Sequence, residues 1–207
     1  MALNAGIEAA THDKVLLIDS DCQLTATAIR GICEGLEGYD FCKGKVIFDN
    51  DDFASSIISE ARDYTNFNVP KTYNPFLGLR KSVAPKVGGY IFDSDIHWTE
   101  DADLNSRVKA AGISVNYLPN AVAIHPPLTL KQDLRSAFRY GIGKRIRVEK
   151  RTSKGIGNYF SRLPDVARKK GVLTALYMGI WSVLYTSGYV YQILRDPYHF
   201  RKKKQLP

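Results

Sequence analysis

The stretch Lys14-Val15-Leu16-Leu17-Ile18-Asp19-Ser20-Asp21 decides the fold. Its apolar run, ended by an acidic turn, reads as a strand buried on both faces inside an α/β sheet. Upstream, residues 2–11 read as a short helix with Ala2, Ile7 and Ala10 inward, and downstream residues 24–36 read as a second helix. Residues 41–48 form the next strand expectation, and Asn50-Asp51-Asp52 is placed to cap a helix over residues 53–64. Residues 68–75 carry two prolines and read as a loop, followed by a short strand over residues 76–80. A helix opens at Thr99 and ends near Gly112, and residues 113–118 and 121–125 supply two more strands. This alternation predicts an α/β fold with a mixed sheet.

At 207 residues the chain can bury a substantial core, which fits one domain plus an appendage. Its 44% hydrophobic and 24% charged residues exclude wholesale disorder. The net charge of +8 favours anionic partners: nucleotide diphosphates, lipid phosphates, acidic membrane surfaces or nucleic acid. No base-reading motif accompanies the basic residues, so nucleic acid is not expected. Cys22, Cys33 and Cys42 show no metal-ligand spacing, and their odd number argues against a disulfide framework. A reducing, cytoplasmic setting follows, in keeping with an N-terminus that lacks a secretory signal pattern.

Two acidic motifs carry the chemistry. Asp19 and Asp21 at a strand end project into the crevice where α/β folds bind ligands, and there they suit a divalent cation, Mg2+ or Mn2+, on a diphosphate. Glu100 and Asp101 sit at a helix start, where a carboxylate can serve as a general base. Together the motifs suggest a metal-dependent sugar transferase. Each also has a structural reading. Asp19-Ser20-Asp21 can be a polar turn capping the following helix, and Thr99 can be an N-cap with first-turn acids suited to the helix dipole. Asp103 and Arg107 are spaced to pair at i,i+4, with Leu104, Val108 and Ala111 as the apolar face.

The order of the motifs resembles family 2 glycosyltransferases, which have the GT-A fold. Leu3-Asn4-Ala5-Gly6-Ile7 is similar to the helix before the family's metal-site strand, and Lys14 through Cys22 matches that strand. Val87-Gly88-Gly89-Tyr90 resembles the acceptor-loop glycine pair, and Trp98-Thr99-Glu100-Asp101 through Arg107 the catalytic acidic motif. The resemblance implies Asp101 as general base in an inverting displacement and Glu100 as a residue orienting the acceptor. It implies Asp21 as the closest metal contact, Asp19 near the ribose or metal, and His125 either as a third metal ligand or as a hydrogen-bonded strand-end histidine. Arg139 and Lys144 lie where relatives close over the diphosphate, although a solvated basic helix explains them equally. The implied partners are a nucleotide-diphospho-sugar donor and a glycan or lipid-linked acceptor, in glycan or glycolipid synthesis. Nothing before Leu3 corresponds to the family's nucleotide-binding strand-helix-strand unit. The expectation is therefore an N-terminally incomplete GT-A-like sheet with one uncovered edge: a fragment, a shortened chain completed by a partner, or a non-catalytic binding module.

Three regions are expected: a partial GT-A-like domain over residues 1–127, a basic helical region and linker over 128–164, and an apolar helix with basic tail over 165–207. The basic helix reads as interrupted by Gly141-Ile142-Gly143. Residues 171–194 contain no charge and are flanked by Arg168, Lys169 and Lys170 on one side and by Arg195 and Arg201 to Lys204 on the other. Four tyrosines and Trp181 suit a membrane interface, so contact with the cytoplasmic face of a membrane is expected, without commitment to a span; a helix covering the catalytic domain is the alternative.

Overall fold

Five strands form one mixed sheet in the order β1-β4-β3-β5-β2 in the computed structural model, which describes residues 2–65 and 68–196. The strands are β1 (Lys14–Leu17), β2 (Gln23–Leu24), β3 (Phe41–Phe48), β4 (Leu77–Arg80) and β5 (Val115–His125). The helices are α1 (Ala2–Ala9), α2 (Ala28–Gly38), α3 (Phe53–Tyr64), α4 (Glu100–Ala110), α5 (Leu130–Glu149), α6 (Leu163–Lys170) and α7 (Val172–Arg195). β3 runs parallel to β5 and antiparallel to β4. The result is the α/β, GT-A-like sheet flanked by helices that the sequence predicts.

Several local expectations are corrected. β1 is an edge strand, paired among the described residues only with β4, and three of its four residues are half-buried. The strand enclosed on both faces is β3, whose Phe41, Cys42, Lys43 and Gly44 are all buried. Residues 23 and 24 form β2 against Ala123 and Ile124, so α2 starts later than expected, at Ala28. The two strands expected over residues 113–125 are one, β5, whose register against β3 shifts between Gly44 and Lys45. Gly44 has no room for a side chain, because a Cβ there would lie 2.9 Å from the Ala121 carbonyl and closer still to the Phe76 ring. α3 begins where the acidic cluster placed it, with Asp52 and Ser55 forming a reciprocal capping box.

Apolar side chains cover both sheet faces. On one face Ile7, Leu17, Phe41, Leu79, Leu104 and Val108 join α1 and α4 to the sheet. On the other, Ile32, Leu36, Val46 and Phe76 pack with α2.

The glycines of 141–143 do not interrupt α5, which is continuous from Leu130 to Glu149. Helix propensity disfavours glycine there, but packing overrides it. A Cβ on Gly141 would stand 1.9 Å from the Tyr185 carbonyl of α7, and one on Gly188 of α7 would stand 1.9 Å from the Phe138 carbonyl of α5. The two backbones therefore touch at a reciprocal glycine contact. Nor is α5 a solvated helix. Its Asp133 is buried, accepting from Arg62 of α3 and from the Tyr177 hydroxyl of α7. The segment expected as a linker ends in a short 3-10 turn at Phe160–Arg162, followed directly by α6. The tail from Arg201 to Lys204 lies outside the described residues.

Candidate active site

The five residues between β1 and β2 cross the end of the sheet from one edge to the other. Asp19, Ser20 and Asp21 lie on this crossing, which turns through the Cys22 N–H to Asp19 carbonyl bond of 3.1 Å. Pairing of Gln23 with Ile124 then brings the crossing beside His125, the last residue of β5. Ligand atoms of Asp21, Cys22 and His125 all lie within 4.8 Å of one another. Cys22, which the spacing of cysteines gave no reason to choose, thus joins two predicted ligands. Asp19 adjoins the cluster: burial pushes its carboxyl up, His125 pulls it down and Asp21 raises it.

The donor chemistry fits a hard divalent cation. The His125 Nδ1 lies 2.7 Å from the Pro126 carbonyl, so Nδ1 carries the proton and Nε2 keeps its lone pair for a metal. Burial pushes the Cys22 thiol up to about 11, so in the absence of a metal it is protonated, while a carboxylate and an imidazole suit Mn2+ or Mg2+ better than a thiol does.

The second motif forms the start of α4. Thr99 occupies the N-cap, yet its side chain makes no capping hydrogen bond. It packs against α5 instead, where a Cβ on Gly143 would come within 2.6 Å of the Thr99 hydroxyl. Asp101 is pinned at both oxygens, with the Ala102 N–H donating to Oδ1 at 2.6 Å and the Asn74 N–H to Oδ2 at 3.2 Å. Asn74 belongs to the loop before β4, joined to Pro75 by a cis peptide bond. Burial pushes the Asp101 carboxyl up to about 6, with Glu100 adding to the rise, while the two N–H donors and Arg147 oppose it. That value is poised for a base working near neutrality. Glu100 Oε2 and Asn74 Oδ1 are buried beside it without a hydrogen-bond partner among the described residues. Buried polar groups are usually hydrogen-bonded, so these two oxygens are candidates to accept from a bound molecule.

Lys43 links the two motifs. It is fully buried on the central strand, its Nζ donates to the Pro75 carbonyl, and it feels the charges of both Asp101 and Asp19. Desolvation drives the ammonium down to about 7. Arg147 of α5 is also buried, donating to the Ala102 carbonyl at 2.7 Å and to Ser106 Oγ at 3.0 Å. Neither residue stands out in the sequence, because its partners lie far away along the chain.

The predicted Asp103–Arg107 pair forms at 2.8 Å. Arg107 also donates to the carbonyls of Val87, Tyr90 and Ile91, fixing the loop of Gly88 and Gly89, which both have positive φ. Asn4 of α1 bonds the Phe92 backbone in both directions and holds the same loop from below. Arg139 stacks over the Trp98 ring at 4.1 Å, immediately before Thr99. Lys144 donates to Ser153 Oγ at 2.5 Å.

The description "Glycosyl transferase family group 2" matches the sequence over residues 14–197. No curated protein matches it. The fold is similar to that of the mannosyltransferase PcManGT from Pyrobaculum calidifontis, in complex with GDP-Man and Mn2+, with a TM-score of 0.53 and 13% identity. The similarity covers 96% of this chain and 54% of that one, so this chain spans about half the length of that structure.

Proposed function

The chain belongs to glycosyl transferase family group 2, and from that premise we propose that it moves a sugar from a nucleotide-diphospho-sugar to an acceptor hydroxyl in one inverting displacement. The observation that carries this reading is Lys43: Asp19 and Asp101, far apart in sequence, both act on this one buried ammonium. That shared neighbour supports reading the acidic turn before β2 and the start of α4 as parts of one site.

Asp101 takes the acceptor proton. The acceptor oxygen forms a bond to the anomeric carbon as the bond from that carbon to the diphosphate breaks on the opposite side, with inversion. The N–H groups of Ala102 and Asn74 hold the carboxylate in place. Glu100, with Oε2 unpartnered, orients the acceptor by accepting a hydrogen bond from it. Asp21 and His125 would hold a divalent cation, with Asp19 assigned to the ribose or the metal. When bound, the cation neutralises charge on the departing diphosphate. Arg139, carried on the Trp98 face, is assigned to the leaving group with Lys144. The nucleotide-sugar and Mn2+ bound by the structurally similar mannosyltransferase support this choice of donor and cofactor classes.

Asp101→Asn tests the assignment. Transfer is lost while the far-UV circular dichroism and nucleotide binding persist; turnover at the wild-type rate rejects Asp101 as the base.

A further inference from the structure

The polarity of α7 is reversed relative to a helix that faces water. Toward the domain it buries Thr174, Tyr177, Ser182, Tyr185 and Gln192. Outward it exposes Val172, Leu176, Ile180, Val183, Val190 and Leu194, which recur at helical spacing and form one stripe. Leu194 is 74% exposed, Val172 66% and Leu176 61%, values that rule out burial against any described element. The helix has 24 residues, so the stripe runs for about 36 Å at about 1.5 Å per residue. A patch of this length on a soluble surface marks an interaction site.

Charge identifies the occupant. Residues 151–196 hold seven basic residues and two acidic ones, Asp165 and Asp196, and none of these falls within 171–194. Arg168 and Lys169, both paired with Asp165 at 2.9 Å yet exposed, precede the stripe, and exposed Arg195 follows it. Arg151, Lys154 and Arg162 are exposed in the preceding segment, interleaved with exposed Ile156 and Phe160. Pairing two copies through the stripe in either direction brings basic ends together, which opposes a homodimer. An apolar band framed by cations matches the layering of an anionic bilayer surface. No helix among the described residues is long and apolar enough to cross a membrane. The reciprocal glycine contact also holds α7 lengthwise on α5.

We propose that α7 docks the enzyme in the plane of an anionic phospholipid bilayer, with its stripe among the acyl chains and its flanking cations on lipid phosphates. Because α5 touches both α7 and, through Arg147, the start of α4, the base would then lie one helix layer from the lipid.

Flotation of the full chain with phosphatidylcholine vesicles, with and without phosphatidylglycerol, tests this. The chain is expected to float with phosphatidylglycerol-containing vesicles and more weakly with phosphatidylcholine alone. L176E/I180E, at two exposed positions, lowers partitioning by about tenfold or more with circular dichroism unchanged. Equal flotation of the variant overturns the proposal, as does a wild-type chain that stays in solution. A concentration-dependent dimer that L176E/I180E dissociates, without vesicle binding, assigns the stripe to a second copy instead. None of these outcomes depends on transfer activity.

Discussion

Replacing Glu100 by glutamine tests the electrostatics of the base directly. The Asp101 carboxyl stands at about 6, against an ordinary value of 3.8, chiefly because it is desolvated and secondly because Glu100 lies beside it. A base must be ionised, so wild-type kcat/KM should rise with pH along a limb centred near 6. At pH 5 about a tenth of the enzyme is competent and at pH 7 about nine-tenths, from the titration of a single group. Glu100→Gln removes a like charge, and the limb moves down while desolvation keeps it above 3.8. Arg147→Gln removes an opposing charge, and the limb moves up. The assay is release of nucleoside diphosphate from a screened nucleotide-sugar donor between pH 4.5 and 8, on variants whose folding is checked at each pH. An acid limb that neither variant displaces, or displacement in the opposite directions, refutes the assignment of Asp101.

Lys43→Met tests the buried ammonium through stability: the lysine titrates at about 7 when folded and 10.5 when unfolded, so between those values the unfolded chain binds more protons. Wild-type stability should therefore gain up to about 5 kcal/mol on Lys43→Met as pH rises through that window, measured by denaturant melts, and a constant difference contradicts the burial. Asp101 acts with the opposite sign, because its folded value is raised: its ionisation costs nothing below 3.8 and about 3 kcal/mol above 6, so Asp101→Asn should gain on wild type across that range. Gly188→Ala drives a methyl to 1.9 Å from the Phe138 carbonyl, and a loss of about 3 kcal/mol of unfolding free energy is expected from denaturant melts; a neutral effect means the two helices do not touch there.

Local signals were read where their cause is local. Asp52 caps α3, and Asp103 pairs with Arg107, because a capping box and an i,i+4 pair need only neighbours in sequence. The strand hierarchy was inverted for a physical reason. An apolar run such as residues 15–18 signals burial, yet it lies at the edge, while the central β3 contains Lys43 and Lys45. Two lysines argue against a buried strand unless tertiary partners satisfy them, as the Pro75 carbonyl does for Lys43. β2 is only two residues long and has no periodicity to detect, though it is the element that carries Asp21 to His125. Gly141 and Gly143 looked like breaks because their use, close approach to α7 and to Thr99, exists only after folding.

The most direct test of the central claim is calorimetric titration of GDP and UDP into the chain and into Asp21→Ala, each with and without Mn2+. The account predicts nucleotide binding that requires Mn2+ and disappears in Asp21→Ala. Binding that is indifferent to the metal, or preserved in the variant, would contradict a diphosphate–metal site built on Asp21 and His125.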